Sequence, residues 1–70
     1  MNYAYRMKAK ESYWKGVPKG LVIECVSDWG PNMGGPNPKS TCRVLNMMGI
    51  NVEENDSCCF PSFWDWTEIH

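Results

Sequence analysis

The sequence predicts an α+β fold: a two-layer ββαβ unit whose three-stranded sheet, antiparallel or mixed, has the order 2-1-3 and carries one helix on one face. Three observations predict it. Two segments with strand patterns flank a turn rich in glycine and proline, a capped helical segment follows, and an aromatic segment closes the chain. A chain of 70 residues accommodates one domain with one small core, so we predict a single domain over residues 1–70.

The first two strands are predicted from alternation. In residues 3–10 tyrosine, methionine and alanine alternate with mostly basic side chains, as in a half-buried strand. Gly16, Pro18 and Gly20 break the chain after it. The second strand covers residues 21–27, with Ile23 and Cys25 facing the core. Together the two segments form a predicted antiparallel hairpin.

The helix is predicted from its capping residues. Asn37 is a good N-cap, and Pro38 suits the first helical position, where its missing N–H costs nothing. The helix runs to about Met48, and Gly49 supplies the left-handed residue that often follows a helix. Its predicted apolar stripe is Thr41, Leu45 and Met48. Residues 28–38, in which Gly-Pro-Asn occurs twice, form the loop before it.

The third strand is placed within residues 57–68. Pro61 cannot donate to a strand ladder, so this strand lies at an edge or carries a bulge. A helix crossing back over the hairpin delivers it beside the first strand. On a strand, Phe60, Trp64 and Trp66 share one face, with Phe60 and Trp64 expected in the core, and Phe63 faces outward on the other; the adjacent Cys58 and Cys59 point to opposite faces.

Charge is polarised along the chain although the net charge is only −1. Residues 1–19 carry five basic residues and one acidic residue, and residues 51–70 carry five acidic residues and no lysine or arginine. The predicted sheet order places the basic first strand next to the acidic third strand, where opposite charges complement each other. The asymmetry therefore needs no nucleic acid to explain it.

Catalysis, cofactors and metals are not predicted. The only histidine is His70, and no nucleophile has a recognisable base, so we expect no enzyme and assign no catalytic residue. The four cysteines lack the paired spacing of structural zinc sites. No apolar run approaches the roughly 20 residues of a membrane span, and no leader pattern is visible. We therefore expect a cytoplasmic protein with reduced thiols, in which Cys25 and Cys42 pack in the core.

Binding by surface contact is the leading prediction, because nine aromatic residues are too many for so small a core to cover. We predict an inhibitor or adaptor that binds another protein through its aromatic residues and its edge strands, with pairing of edge strands into a homo-oligomer as a further option. Compact domains of this composition are typical products of phage and mobile-element genes. The predicted contact residues are Trp14, Trp29, Phe63 and Trp66.

Two alternatives remain open at this level. A nucleic-acid site would use the first strand and the hairpin, with Arg6, Lys8, Lys10 and Tyr13 as contacts. A small-anion site would use Lys39 and Ser40, whose N–H groups lie at the helix start. Pro38 replaces the glycine that a phosphate-binding loop has before its Lys-Ser pair, so a nucleotide-hydrolase loop is not predicted.

Overall fold

The computed structural model of the protein describes residues 1–70 and contains three strands and one α-helix. Strands β1 (Tyr3–Ala9) and β2 (Val22–Ser27) form an antiparallel hairpin, α1 (Pro38–Met47) packs on the sheet, and β3 (Trp64–Ile69) returns antiparallel to β1. The sheet order is β2-β1-β3. The predicted α+β fold class, strand order and helix packing are confirmed.

The central position of β1 pairs its basic side chains with acidic ones. Arg6 lies opposite Glu24 on β2, and the Arg6 Nε is 3.1 Å from a Glu24 carboxylate oxygen. Lys8 lies opposite Asp65 on β3. These pairs lie on the face of the sheet turned away from the helix. The basic and acidic segments of the chain are thus neighbours in space.

The helix begins and ends at its predicted caps. The Asn37 side chain accepts a hydrogen bond from the Lys39 N–H at 3.0 Å, and Gly49 is left-handed with φ +87°. Thr41 and Leu45 are buried against the sheet. Met48 was wrongly predicted to be part of the buried stripe: it is exposed, because the helix has ended at Met47 and Met48 occupies the cap.

The segment before β3 differs from the predicted strand. It forms two 3-10 turns, Ser57–Cys59 and Pro61–Phe63, and β3 begins only at Trp64. Cys58 and Cys59 are therefore not on opposite faces of a strand, and both are buried. Phe60 is exposed instead of buried. Phe63 is buried, with 8% of its surface exposed, instead of facing outward. The turns rotate these side chains out of strand alternation.

The loop of residues 28–37 is attached to the sheet by partly buried hydrogen bonds. The Ser27 Oγ accepts from the Trp29 N–H at 3.0 Å and from the Asn37 N–H at 2.9 Å. The Tyr5 hydroxyl donates to the Trp29 carbonyl at 2.7 Å. At Gly35, with φ +113°, the backbone passes so close to the Trp66 indole that an added Cβ would lie 2.7 Å from it. The loop therefore covers the same sheet face as the helix.

The core lies between this sheet face, the helix and the 50–63 segment. Its largest fully buried side chains are Trp64, Tyr5, Met7 and Leu45, and the Trp64 indole N–H donates to the Cys58 carbonyl at 2.7 Å. The opposite sheet face has no covering layer. The helix in this structure is too short and too polar to cross a membrane.

Candidate functional site at the hairpin tip

The tip of the β1–β2 hairpin is an ordered turn at residues 13–17. Tyr13 and Val17 form an isolated antiparallel bridge, in which the Tyr13 N–H donates to the Val17 carbonyl at 2.7 Å. Gly16 takes a left-handed conformation with φ +112°, which only glycine adopts readily. Val17 is buried. The turn is thus anchored on one side by its own backbone and on the other by the core.

Asp56 fastens the tip to the acidic turn that follows the helix. Its carboxylate accepts hydrogen bonds from the Tyr13 hydroxyl at 2.9 Å, from the Lys15 ammonium at 2.8 Å and from the Glu53 N–H at 2.8 Å. The Lys15 ammonium, followed by the Glu53 N–H, lowers the pKa of Asp56 to about 2. The hydrogen bond to Asp56 in turn raises the pKa of Lys15. Both residues are therefore charged near neutral pH.

Trp14 is held at the end of this turn and is 81% exposed. The Lys15 Nζ lies 5.1 Å from the centre of its ring, a cation–π distance. A chain of ring contacts leads from Trp14 into the core. The distances between ring centres are 5.9 Å for Trp14 and Tyr13, 6.1 Å for Tyr13 and Phe63, and 5.4 Å for Phe63 and Trp64. A large apolar side chain is thus displayed to solvent on a base that is packed into the core.

The other three predicted contact residues do not join Trp14 in one patch. Phe63 is buried beneath Tyr13, so it supports the tip from inside. Trp66 is half-buried, with its ring 5.6 Å from Tyr5 and edge-to-face. Trp29 is half-buried in the loop that the Tyr5 hydroxyl holds. Trp66 thus packs on Tyr5, and Trp29 is held through its main-chain carbonyl, because the loop of residues 28–37 folds back over the sheet.

Two of the four predicted nucleic-acid contacts, Arg6 and Tyr13, are bonded to acidic side chains. Arg6 is paired with Glu24, and Lys8 stands opposite Asp65 on the open sheet face. Lys10 is exposed just beyond the strand. Tyr13 is half-buried and donates its hydroxyl to Asp56, so its ring is not available on that sheet face. The structure does not assemble these residues into a basic surface with an aromatic platform.

The backbone N–H groups of the predicted anion site are already engaged in capping the helix. The Lys39 N–H donates to the Asn37 side chain, and the Ser40 N–H donates to the Asn37 carbonyl at 2.9 Å. The expectation of free N–H groups at Lys39 and Ser40 is therefore wrong. The Asn37 amide also donates to the Asp28 carboxylate at 3.0 Å, which places a negative charge beside the helix start. That charge opposes an anion at the backbone N–H groups of the helix start, whereas the Lys39 ammonium forms no ion pair within 4.0 Å.

The four cysteines are free and buried, so their thiols are held away from solvent reagents. Burial raises the pKa of Cys25 to about 11 and also raises the pKa of Cys58. For Cys59, burial and then the neighbouring thiols of Cys58 and Cys42 raise the pKa. No group of three or more histidine, cysteine or acidic side chains is arranged to hold a metal ion. The thiols act here as small apolar side chains.

Comparisons of the chain with protein-family models, with curated proteins and with solved structures find no match. Sequence reasoning singled out Trp14 but gave Asp56 no role. Asp56 lies 43 and 41 positions from Tyr13 and Lys15, and no local pattern announces a contact at that separation.

Proposed function

We propose that the protein is a small binding module that acts by docking the hairpin tip, with Trp14 as its anchor, into an apolar pocket of another protein. The main support for this proposal is that Trp14 is 81% exposed on a turn that is hydrogen-bonded to Asp56 and packed on the core. Tryptophan is enriched among the residues that dominate protein interfaces. An inhibitor or an adaptor works by such contact and needs no catalytic group.

The rigidity of the tip supports this proposal. A flexible loop loses conformational entropy when it binds, and each immobilised long side chain costs about 0.5–1.5 kcal/mol. Here Tyr13, Lys15 and Val17 are already held by Asp56, by the backbone bridge and by the core. The Trp14 ring is also contacted from one side by Lys15. Docking this tip therefore orders little that is not ordered already.

The charges around the tip favour a protein partner over a nucleic acid. The turn that supplies Asp56 also carries Glu53 and Glu54, and Asp56 neutralises the nearest cation, Lys15. Phosphate backbones bind where several cations are free. An exposed indole whose neighbouring lysine is neutralised by Asp56 suits an apolar pocket with a polar rim.

The free buried thiols support a reducing compartment such as the cytoplasm, because secreted small domains usually pair their cysteines. An origin in a phage or mobile element stays a prediction from composition. Self-association through the edge strands is the alternative that the sequence predicts. It is separated from binding to a different protein by measuring the oligomeric state.

The test is affinity capture from a lysate of the source organism with three forms of the chain: wild type, Trp14→Ala and Met47→Ala. Met47 is the matched control, since it is also 81% exposed but lies on the helix. We expect a partner retained by wild type and by Met47→Ala and lost with Trp14→Ala. The purified pair should then bind at least about 30-fold more weakly with Trp14→Ala, which corresponds to about 2 kcal/mol.

Stability measurements separate lost contact from lost folding. Trp14→Ala and Met47→Ala should each change the free energy of unfolding by less than about 0.5 kcal/mol, as exposed substitutions do. Equal capture by all three forms would contradict the role of Trp14. Sedimentation that shows a wild-type dimer dissociating on Trp14→Ala would assign the tip to a second copy instead.

A further inference from the structure

The outer edge of β2 is an unpaired strand edge with its backbone groups turned outward. The Ala9 N–H donates to the Leu21 carbonyl at 2.9 Å, and in an antiparallel pair such bonds occur at every second residue. The register continues through Met7 with Ile23 and Tyr5 with Cys25. The N–H and C=O groups of the intervening residues therefore point away from β1. These residues are Val22, Glu24 and Val26.

Features that normally protect a strand edge are missing from β2. The strand contains no proline and is paired residue for residue with β1 over Val22–Ser27, so no bulge turns its edge aside. Its single charge, Glu24, is drawn toward the sheet by the ion pair with Arg6. Val22 and Val26 are 53% and 60% exposed. This edge is suited to pairing with another strand.

An apolar depression of about 300 Å³ accompanies this edge. Val44 of the helix and Val26 on the open sheet face both line it, together with Ala4 of β1 and Ile69 of β3, which lie opposite each other. A strand added to β2 would place alternate side chains toward these two surfaces. The residues that line the depression are Ala4, Glu24, Cys25, Val26, Val44 and Ile69.

The end of β2 at Val26 has a basic rim. Lys39 and Arg43 of the helix line a polar recess that also includes Val26, and neither cation has a carboxylate within 4.0 Å. Asp28 in the same recess is hydrogen-bonded to Asn37, which leaves a net charge of about +1 there from two cations and one anion. A ligand segment with carboxylates at this end would meet free cations.

We propose that the edge of β2 binds an extended, acidic segment of another protein as a fourth, antiparallel strand. The backbone of β2 supplies the hydrogen bonds, the depression beside Val44 takes an apolar side chain, and Lys39 and Arg43 take the carboxylates. Strand addition of this kind uses main-chain bonds for affinity and side-chain pockets for specificity. The surface is separate from the hairpin tip and does not rest on the role of Trp14.

A second copy pairing β2 against β2 fits this edge less well. In an antiparallel pair centred on the strand, the two Glu24 side chains come opposite each other, and like charges in that position are unfavourable. The basic rim of each copy would then face the Val22 end of the other copy, where β2 offers no carboxylate. An acidic segment of another protein avoids the repulsion between two Glu24 side chains and brings carboxylates to the basic rim.

The test uses the full chain and synthetic probes. The main probe is an acetylated heptapeptide that begins with two glutamates and continues with alternating valine and threonine, which places its acidic end at the basic rim in the antiparallel orientation. We expect it to shift the Val22, Glu24 and Val26 amide resonances and to slow their hydrogen exchange. Two N-methylated forms, one at every valine and one at every threonine, test strand geometry. Only one of them should bind, because only one set of peptide N–H groups faces β2.

Charge reversal tests the rim. Lys39→Glu with Arg43→Glu should weaken binding of the glutamate peptide about tenfold, since each exposed charge pair contributes up to about 1 kcal/mol. It should strengthen binding of the same peptide with lysines in place of glutamates. Lys10→Glu with Lys19→Glu applies the same change of charge away from the rim and should leave both affinities unchanged.

Three results would overturn the proposal. One is the absence of any shift at the β2 amides with the glutamate peptide. Another is equal binding of the two N-methylated forms. The third is protection of the Val22, Glu24 and Val26 amides that rises with protein concentration and without peptide, which would assign the edge to a second copy.

Discussion

Ser27 offers the sharpest test of how the fold holds the loop that flanks the functional surfaces. It is the last residue of β2, its side chain is buried, and its oxygen accepts from two backbone N–H groups, those of Trp29 and Asn37. The first bond turns the chain out of the strand. The second fixes the residue that caps the helix. Ser27→Ala removes both bonds at once and changes little else in side-chain volume.

The magnitude follows from the two bonds. Each ordinary intramolecular hydrogen bond contributes about 1 kcal/mol, and a donor left unsatisfied in the interior costs about 1–3 kcal/mol. Trp29 and Asn37 are half-buried, so water can replace part of each bond. We therefore expect a loss of about 2–3 kcal/mol. For a domain of this size, that lowers the melting temperature by roughly 10–20 °C.

Denaturant unfolding followed by tryptophan fluorescence measures this loss, with Ser62→Ala as the control because Ser62 is exposed. The control should lie within about 0.5 kcal/mol of wild type. Hydrogen exchange should show that the Trp29 and Asn37 amides lose protection first in Ser27→Ala. A loss below about 0.5 kcal/mol, with both amides still protected, would refute the reasoning that Ser27 anchors the loop.

Three further predictions concern ionisable groups. Because the pKa of Asp56 is lowered to about 2 in the folded state, its stabilising contribution is present above pH 3.8 and is lost as the pH falls through about 2. Asp56→Asn should reduce the acid sensitivity of unfolding and speed hydrogen exchange at the Tyr13 and Val17 amides; unchanged exchange at both would contradict the anchoring role. The buried thiols should resist a soluble disulfide reagent at pH 8 until guanidinium unfolds the chain, and one fast-reacting thiol in the folded protein would contradict their burial. Since the pKa of Cys25 is raised from 9.0 to about 11, the stability that it supports should fall as the pH rises from 9 through 11, and Cys25→Ala should remove that part of the decline.

The strands, the helix and their order could be predicted because their signals are local. Alternation in residues 3–10, the Asn37-Pro38 start and the left-handed Gly49 each depend on a few neighbouring residues. The position of β3 beside β1 followed from chain connectivity together with the charges at the two ends. Short-range sequence patterns and chain connectivity were therefore sufficient to predict the elements and the order of the strands in the sheet.

The functional surfaces depended on contacts between distant parts of the chain. Phe63 was expected outside, but Pro61 begins a 3-10 turn that carries it beneath Tyr13. Asp56 could not be singled out from the sequence, because Tyr13 and Lys15 contact it across more than 40 positions. Trp14 could be named from the sequence as a candidate for exposure, whereas its rigid support could not.

Which aromatics are buried was therefore decided by the tertiary structure. The sequence shows more aromatic surface than one helix can cover, and that predicts exposure somewhere in the chain. Which ring stays outside depends on how the loop of residues 28–37 and the turns of residues 57–63 fold back over the sheet. The Gly35 backbone packs against the Trp66 ring, and the Tyr13 ring packs on Phe63. Trp14 is covered by neither segment and stays exposed.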